Sequence, residues 1–216
     1  MRRTGATDTD TAVARLHRLA ELRLREQDFE GALVALQEAS LLAPESAWSH
    51  FLLGFETLKM SLRIPDDGRR LLAEKALVNL LIAAQLEPSW NWVRVTAAEA
   101  YEAAGRIREA HEYLLKATAE VEVTDHMAYA LGRLCARLRN FSDAIKWFAR
   151  AVEKNPNHAA AIDGAASCHF LMGERSRGLE LAKKAAHMGS GRALLLWRKG
   201  LLGSRRMPKP PRCDKT

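Results

Sequence analysis

The residues best equipped for chemistry in this 216-residue chain are few and scattered. Cys168 and His169 are adjacent, and Cys135 lies upstream on a segment of similar character. Brought together, they could bind a metal or form a reactive thiol pair, since a thiolate needs a neighbouring cation or base to exist at neutral pH. The competing reading is that both cysteines are small core residues. A zinc site would call for His-Glu-x-x-His or paired Cys-x-x-Cys spacing, and neither occurs. Glu99 and Glu102 are three apart and share a helix face, but two carboxylates alone do not make an acid–base site. Gly189-Ser190-Gly191 is too short for a phosphate-binding loop and lacks the following Lys-Ser/Thr. No nucleophile is accompanied by a base and an orienting group. The expectation is a non-enzymatic protein with no catalytic residue, no metal and no cofactor.

Composition narrows the class further. About half the residues are apolar and about a quarter charged, as in ordinary globular chains. No apolar run approaches the ~18 residues of a membrane helix. Arg2 and Arg3 are followed by no apolar stretch, and Asp8 and Asp10 argue against a transit peptide, so the expected address is the cytoplasm. Three cysteines, an odd number in a long chain, imply free thiols rather than a disulfide framework. The net charge of +7 is unevenly placed. Residues 192–216 hold eight Lys or Arg and one acid, while residues 1–191 hold 25 of each sign. A basic tail attracts polyanions without selectivity, and a neutral body leaves no electrostatic footprint for nucleic acid.

The elements that must position these residues repeat. Alanine pairs seven apart recur at Ala32 and Ala39, Ala76 and Ala83, Ala110 and Ala117, and Ala144 and Ala151, with Gly178 and Ala185 in fifth place. The steps are 44, 34, 34 and 34 residues. A large residue stands four after the first alanine in four units, at Leu36, Leu80, Leu114 and Phe148, and Ala182 takes that place in the last. Pro44, Pro88 and Pro156 follow at a fixed distance, and turn-forming clusters such as Gln27-Asp28 and Arg139-Asn140 precede each pair. Small residues let two helices approach, and proline cannot continue a helix interior.

This pattern resembles the tetratricopeptide repeat family, whose 34-residue unit is a helix–turn–helix. Leu53-Gly54 and Leu131-Gly132 match its Leu-Gly pair, and Tyr101 and Cys135 occupy its tyrosine place. The resemblance implies an all-α, right-handed solenoid of five repeats with a C-terminal capping helix. The expected units are 13–46, 47–90, 91–124, 125–158 and 159–190, within a solenoid spanning 11–203. A flexible start over 1–10, a cap over 191–203 and a basic disordered tail over 204–216 complete the expected organisation. The ten extra residues of the second unit fall near 61–73 and predict a lengthened second helix. The spacing predicts helices over 11–25 and 107–120, among others.

In this family the first helices of successive units line a concave groove. The resemblance therefore implies partner-facing positions at Trp48, Phe51, Phe55, Lys59, Trp92, Glu99, Tyr129, Arg133 and Arg137, with His17, Glu21 and Arg25 in the first unit. Phe51 and Phe55 suit a core as well as a groove, whereas Trp48 and Trp92 favour the groove. Glu99 with Glu102, against Arg133 and Arg137, could orient a peptide or simply form a solvated mixed-charge face. The Lys, Asn and Arg clamp of chaperone-tail binders is absent at the matching positions. The expected function is a scaffold or adaptor holding another protein or peptide, with homo-oligomerisation possible and neither membrane insertion nor nucleic-acid binding expected. The alternatives are a chaperone or assembly factor for a secretion or pilus-type client, and polyanion binding through the tail, where Pro208-x-x-Pro211 is formally an SH3-ligand pattern.

Overall fold

The structure, a computed structural model, describes residues 4–191 and shows ten helices and no strand among them. The helices are α1 (Thr4–Arg25), α2 (Phe29–Leu42), α3 (Ala47–Ser61), α4 (Asp66–Leu86), α5 (Asn91–Ala103), α6 (Ile107–Ala117), α7 (Asp125–Arg137), α8 (Phe141–Lys154), α9 (Ala159–Leu171) and α10 (Arg175–His187). The fold class is that of an all-α helical repeat solenoid. The chain divides into two compact units at Glu122 and Val123. The first holds α1 to α6 and the second α7 to α10. Within each unit consecutive helices pack together, and first helices also touch, α3 with α5 and α7 with α9.

Local chemistry sets the helix ends. Asp28, Ser46, Thr124 and Asn140 each accept a backbone N–H three residues on, satisfying an orphan donor of the first turn. The residues before Pro44, Pro88 and Pro156, which are Ala43, Glu87 and Asn155, leave the helical region at ψ of 74°, 80° and 96°. A proline ring forces that change on its predecessor. Four of the five hairpin turns hold one left-handed residue: Gly105 and Gly173 take it freely, while Gln27 and Arg139 take it at φ of 64° and 62°.

Packing explains the alanine spacing. All nine alanines of the pairs are at most 1% exposed, and Leu36, Leu80, Leu114 and Phe148 are buried among them. The first helices supply gaps to match. A Cβ on Gly54 would sit 2.7 Å from the Leu80 side chain. In the second unit Phe148 fills two gaps at once: a Cβ on Gly132 of α7 would lie 2.7 Å from its ring, and one on Gly164 of α9 2.6 Å. One aromatic ring thus ties α8 to the helix before it and the helix after it.

Two helices differ from expectation. α1 begins at Thr4, not residue 11, inside the segment expected to be flexible. Residues 4–10 have no apolar periodicity, but once a helix is nucleated each added residue costs little. α6 ends at Ala117, three residues short of 120. No proline stops it; the Thr118 hydroxyl donates to the Leu115 carbonyl and closes the last turn. The enlarged second unit does carry a long helix, 21 residues in α4 against 14 in α2. The expected cap over 191–203 falls, except for Gly191, outside the described residues, as does the tail over 204–216.

Two glycine substitutions should separate steric from backbone effects in urea unfolding. Gly105→Ala meets no atom within 4 Å, yet should lose about 1 kcal/mol through its left-handed φ alone. Gly132→Ala gains about 1 kcal/mol of helix propensity, so a net loss of stability there isolates the clash with Phe148. Phe148→Leu in the same chain should recover part of that loss.

Candidate protein-binding site

In the first unit the face shared by α3 and α5 is aromatic. Trp48, the second residue of α3, is 46% exposed, and Trp92, the second of α5, is 43% exposed. Their ring centroids are 6.2 Å apart. Phe51, one turn on from Trp48, is only 7% exposed and meets Trp92 edge-on at 4.2 Å. Phe55 stacks on Phe51 at 5.4 Å and packs against the core of Leu58, Leu77, Leu80 and Val93. The question left open for the two phenylalanines is thereby answered for Phe51: it is core, and it supports the tryptophans from beneath. Lys59 lies over the Phe55 ring and is ion-paired with Glu56 at 2.8 Å. Glu99 is exposed on α5 two turns beyond Trp92.

Trp90 belongs to the same cluster and was not among the sequence-derived positions. It occupies the N-cap of α5, stacks on Trp92 at 5.1 Å with an interplanar angle of 21°, and meets Trp48 at 6.2 Å. The only signal was the Trp-Asn-Trp spacing. A residue in the turn before a helix has no helical phase, so the groove pattern could not include it. In the first helix His17 bonds the Ser49 hydroxyl at 3.0 Å, linking α1 to α3, and burial lowers its pKa. Arg25 and Glu21 pair with each other on the surface.

In the second unit Tyr129 is half-buried, with Phe148 at 5.9 Å and His158 at 4.9 Å. Arg133 is half-buried and Arg137 exposed further along α7. Beside Tyr129 the structure gathers Asp125, His126 and His158, whose ligating atoms lie within 4.8 Å of one another. The spacing looks suited to a metal, but the protonation state does not. His158 Nδ1 accepts the Ala161 N–H at 3.2 Å and caps α9. The proton of the neutral ring therefore sits on Nε2, which is a donor and not a lone pair. That atom is buried without a hydrogen-bond partner. Asp125 accepts from Asn155 at 2.8 Å, which holds its carboxyl below the usual carboxylate range. The trio is a helix-end network.

The thiols are the opposite of activated. Cys135 and Cys168 are buried thiols outside any disulfide, and burial pushes each pKa up to about 11, with Cys135 adding to the rise at Cys168. His169, the candidate third member, bonds Glu174 through Nδ1 at 2.8 Å instead. That bond and Arg177 hold the Glu174 carboxyl below its usual range. No helix of the described residues is long and apolar enough to cross a membrane.

Consecutive helices packed in pairs within each unit define a class, the helical repeat proteins. Residues 95–159 match the family model of the tetratricopeptide repeat, which places that segment in the family. Its fold is similar to that of PilF of Pseudomonas aeruginosa, at 19% identity over 90% of this chain and 85% of that one, with a TM-score of 0.69. PilW, described as a widely conserved type IV pilus biogenesis factor, is similar at 17% identity, 89% and 87% coverage and a TM-score of 0.70. YrrB, described as a tetratricopeptide-repeat protein with an unusual peptide-binding site, is similar at 18% identity, 92% and 98% coverage and a TM-score of 0.64. At these identities the likeness is one of fold. No curated protein matches the chain.

Two measurements check the chemistry. With Cys213 replaced by serine, the native chain at pH 8 should react with a thiol reagent far more slowly than the urea-unfolded chain, because roughly one buried thiol in a thousand is ionised there. His158→Ala should lower stability by about 1 kcal/mol while His158→Asn, an equivalent cap, leaves it nearly unchanged. An equal loss in both would show that the ring's packing, and not its cap, matters.

Proposed function

We propose that this protein is an interaction scaffold that holds a peptide or helix of another protein against the α3–α5 face. The carrying observation is the Trp48, Trp90 and Trp92 cluster, which leaves two indoles nearly half exposed. Exposed tryptophan is costly to hydrate and enriched where partners bind. In this reading Trp48 and Trp92 are the anchors, Phe51 and Phe55 form the floor, and Lys59 and Glu99 supply polar orientation. Tyr129, Arg133 and Arg137 give the second unit its own contact surface on α7. The fold likeness to YrrB, a protein described by its peptide-binding site, supports the reading. The expected cytoplasmic address belongs to the proposal and rests on the sequence.

A second reading is favoured by the likeness to PilW and PilF: an assembly factor for a pilus-type client. It differs in requiring a client that is unstable alone, so the client should be soluble only when co-expressed with this chain.

Trp48→Ala with Trp92→Ala should reduce capture of partner proteins from the native cell extract at least tenfold while the circular dichroism stays helical. Undiminished capture by a folded double variant would refute the site.

A further inference from the structure

The two anchor tryptophans occupy the same repeat position, Trp48 and Trp92 being 44 residues apart. Each is followed two residues on by a buried nitrogen donor that reaches back to the proline in the turn before its helix. In α5 the donor is Arg94, 8% exposed, whose Nε donates to the Pro88 carbonyl at 3.3 Å while Nη2 pairs with Glu120 at 3.0 Å. In α3 it is His50, 9% exposed, whose Nε2 meets the Pro44 carbonyl at 3.1 Å. Each bond ties the turn to the helix start that carries the indole. The same place in the fold thus holds a permanent cation in one repeat and a titratable group in the other.

The His50 ring faces acceptors on both sides. Its Nδ1 lies 3.0 Å from the Asn79 side-chain oxygen on α4. The Asn79 amide nitrogen donates to the Lys75 carbonyl at 3.3 Å, which sets the orientation of the amide. A backbone carbonyl and an amide oxygen only accept, so each bond needs an N–H from the ring, and a neutral imidazole has one. Without the second proton a ring lone pair faces an oxygen in a buried site, which is unfavourable. Turning the Asn79 amide over does not relieve this, because its oxygen then meets the Lys75 carbonyl. Only the imidazolium satisfies Pro44 and Asn79 together. On the surrounding elements, Glu38 of α2, Glu45 of the turn, and Lys75 and Glu87 on the α4 side are exposed. His17 of α1 bonds Ser49, and Arg94 of α5 is paired with Glu120. No carboxylate among the described residues bonds the ring, so the contact responds to the ring's own proton. The N-terminal end of a helix disfavours a cation, yet Arg94 is charged at the same place in α5.

We propose that His50 is a proton-sensitive clamp: its imidazolium ties both α4 and the Pro44 turn to the start of α3 and so fixes Trp48, and loss of the proton releases one of the two ties. The tie is complete at the acid end of the range over which histidine changes charge and is lost as the pH rises. Resting on the reading that the indole patch is the docking surface, partner capture is then tighter in acid than in mild base.

The test compares urea unfolding of the wild type and of Asn79→Leu at about pH 5.5 and about pH 8, the span over which histidine titrates. Leucine removes the second acceptor, so a neutral ring suffices in the variant, and the other histidines cancel in the comparison. The wild type's advantage in unfolding midpoint should be at least halved on going from acid to base. A merely structural hydrogen bond would give the same advantage at both. His50→Gln, which cannot titrate, gives the same readout if the leucine variant does not fold. In chains labelled with 5-fluorotryptophan, the Trp48 fluorine resonance of the wild type should shift over the same span. The proposal is overturned if the advantage is equal at the two pH values or if the Trp48 resonance does not move. Should both results hold while capture of partner proteins is equal in acid and base, the clamp stands and the α3–α5 face is not the partner surface.

Discussion

Everything in this fold hangs on the places where a side chain is missing. Leu80 and Phe148 of the second helices face glycine on a neighbouring helix, and in α10 the relation is reversed, with Gly178 leaving room for Phe170 of α9. Phe148 shows the constraint at its sharpest: its ring occupies the space of two absent Cβ atoms, on Gly132 and Gly164. Leu80 stands in the same relation to Gly54. Because interiors are close-packed, such a ring fixes the separation and the rotation of the helices around it. The alanine pairs do the same along the second helices, all of them buried. Helix phase then follows: the small-residue face of α3 and α5 turns inward, and the opposite face turns out.

That outward face is where function can reside, and its aromatic character is not a by-product of the core. Phe51 belongs to the interior, yet its edge supports Trp92, so the exposed indoles are held by a rigid base. Preorganised aromatics give contact area at little cost in side-chain entropy. The residues that could have suggested catalysis have other roles. Cys135 and Cys168 are protonated core residues, His169 is engaged with Glu174, and His158 caps a helix through Nδ1, which leaves the ring proton on Nε2.

The uneven charge has a structural counterpart. A body that is neutral as a whole consists of an acidic first unit and a basic second one, separated where the third repeat lacks its proline, at Glu122-Val123-Thr124. The aromatic patch lies in the acidic unit.

Reading the chain alone located what depends on spacing within one or two helices. The alanine pairs, the large residue between them, the prolines after Ala43, Glu87 and Asn155, and the turns all act over fewer than about fifteen residues, and they specify the hairpins. The α4 extension was visible for the same reason. Contacts between repeats were not visible. Trp90 joins Trp48 across more than forty residues, and Phe51 is buried although its helical phase allowed exposure. Each is settled by how closely neighbouring helices approach, and that distance is a property of the packed interior. Local periodicity can choose a helix face; only packing decides how much of that face remains open to a partner.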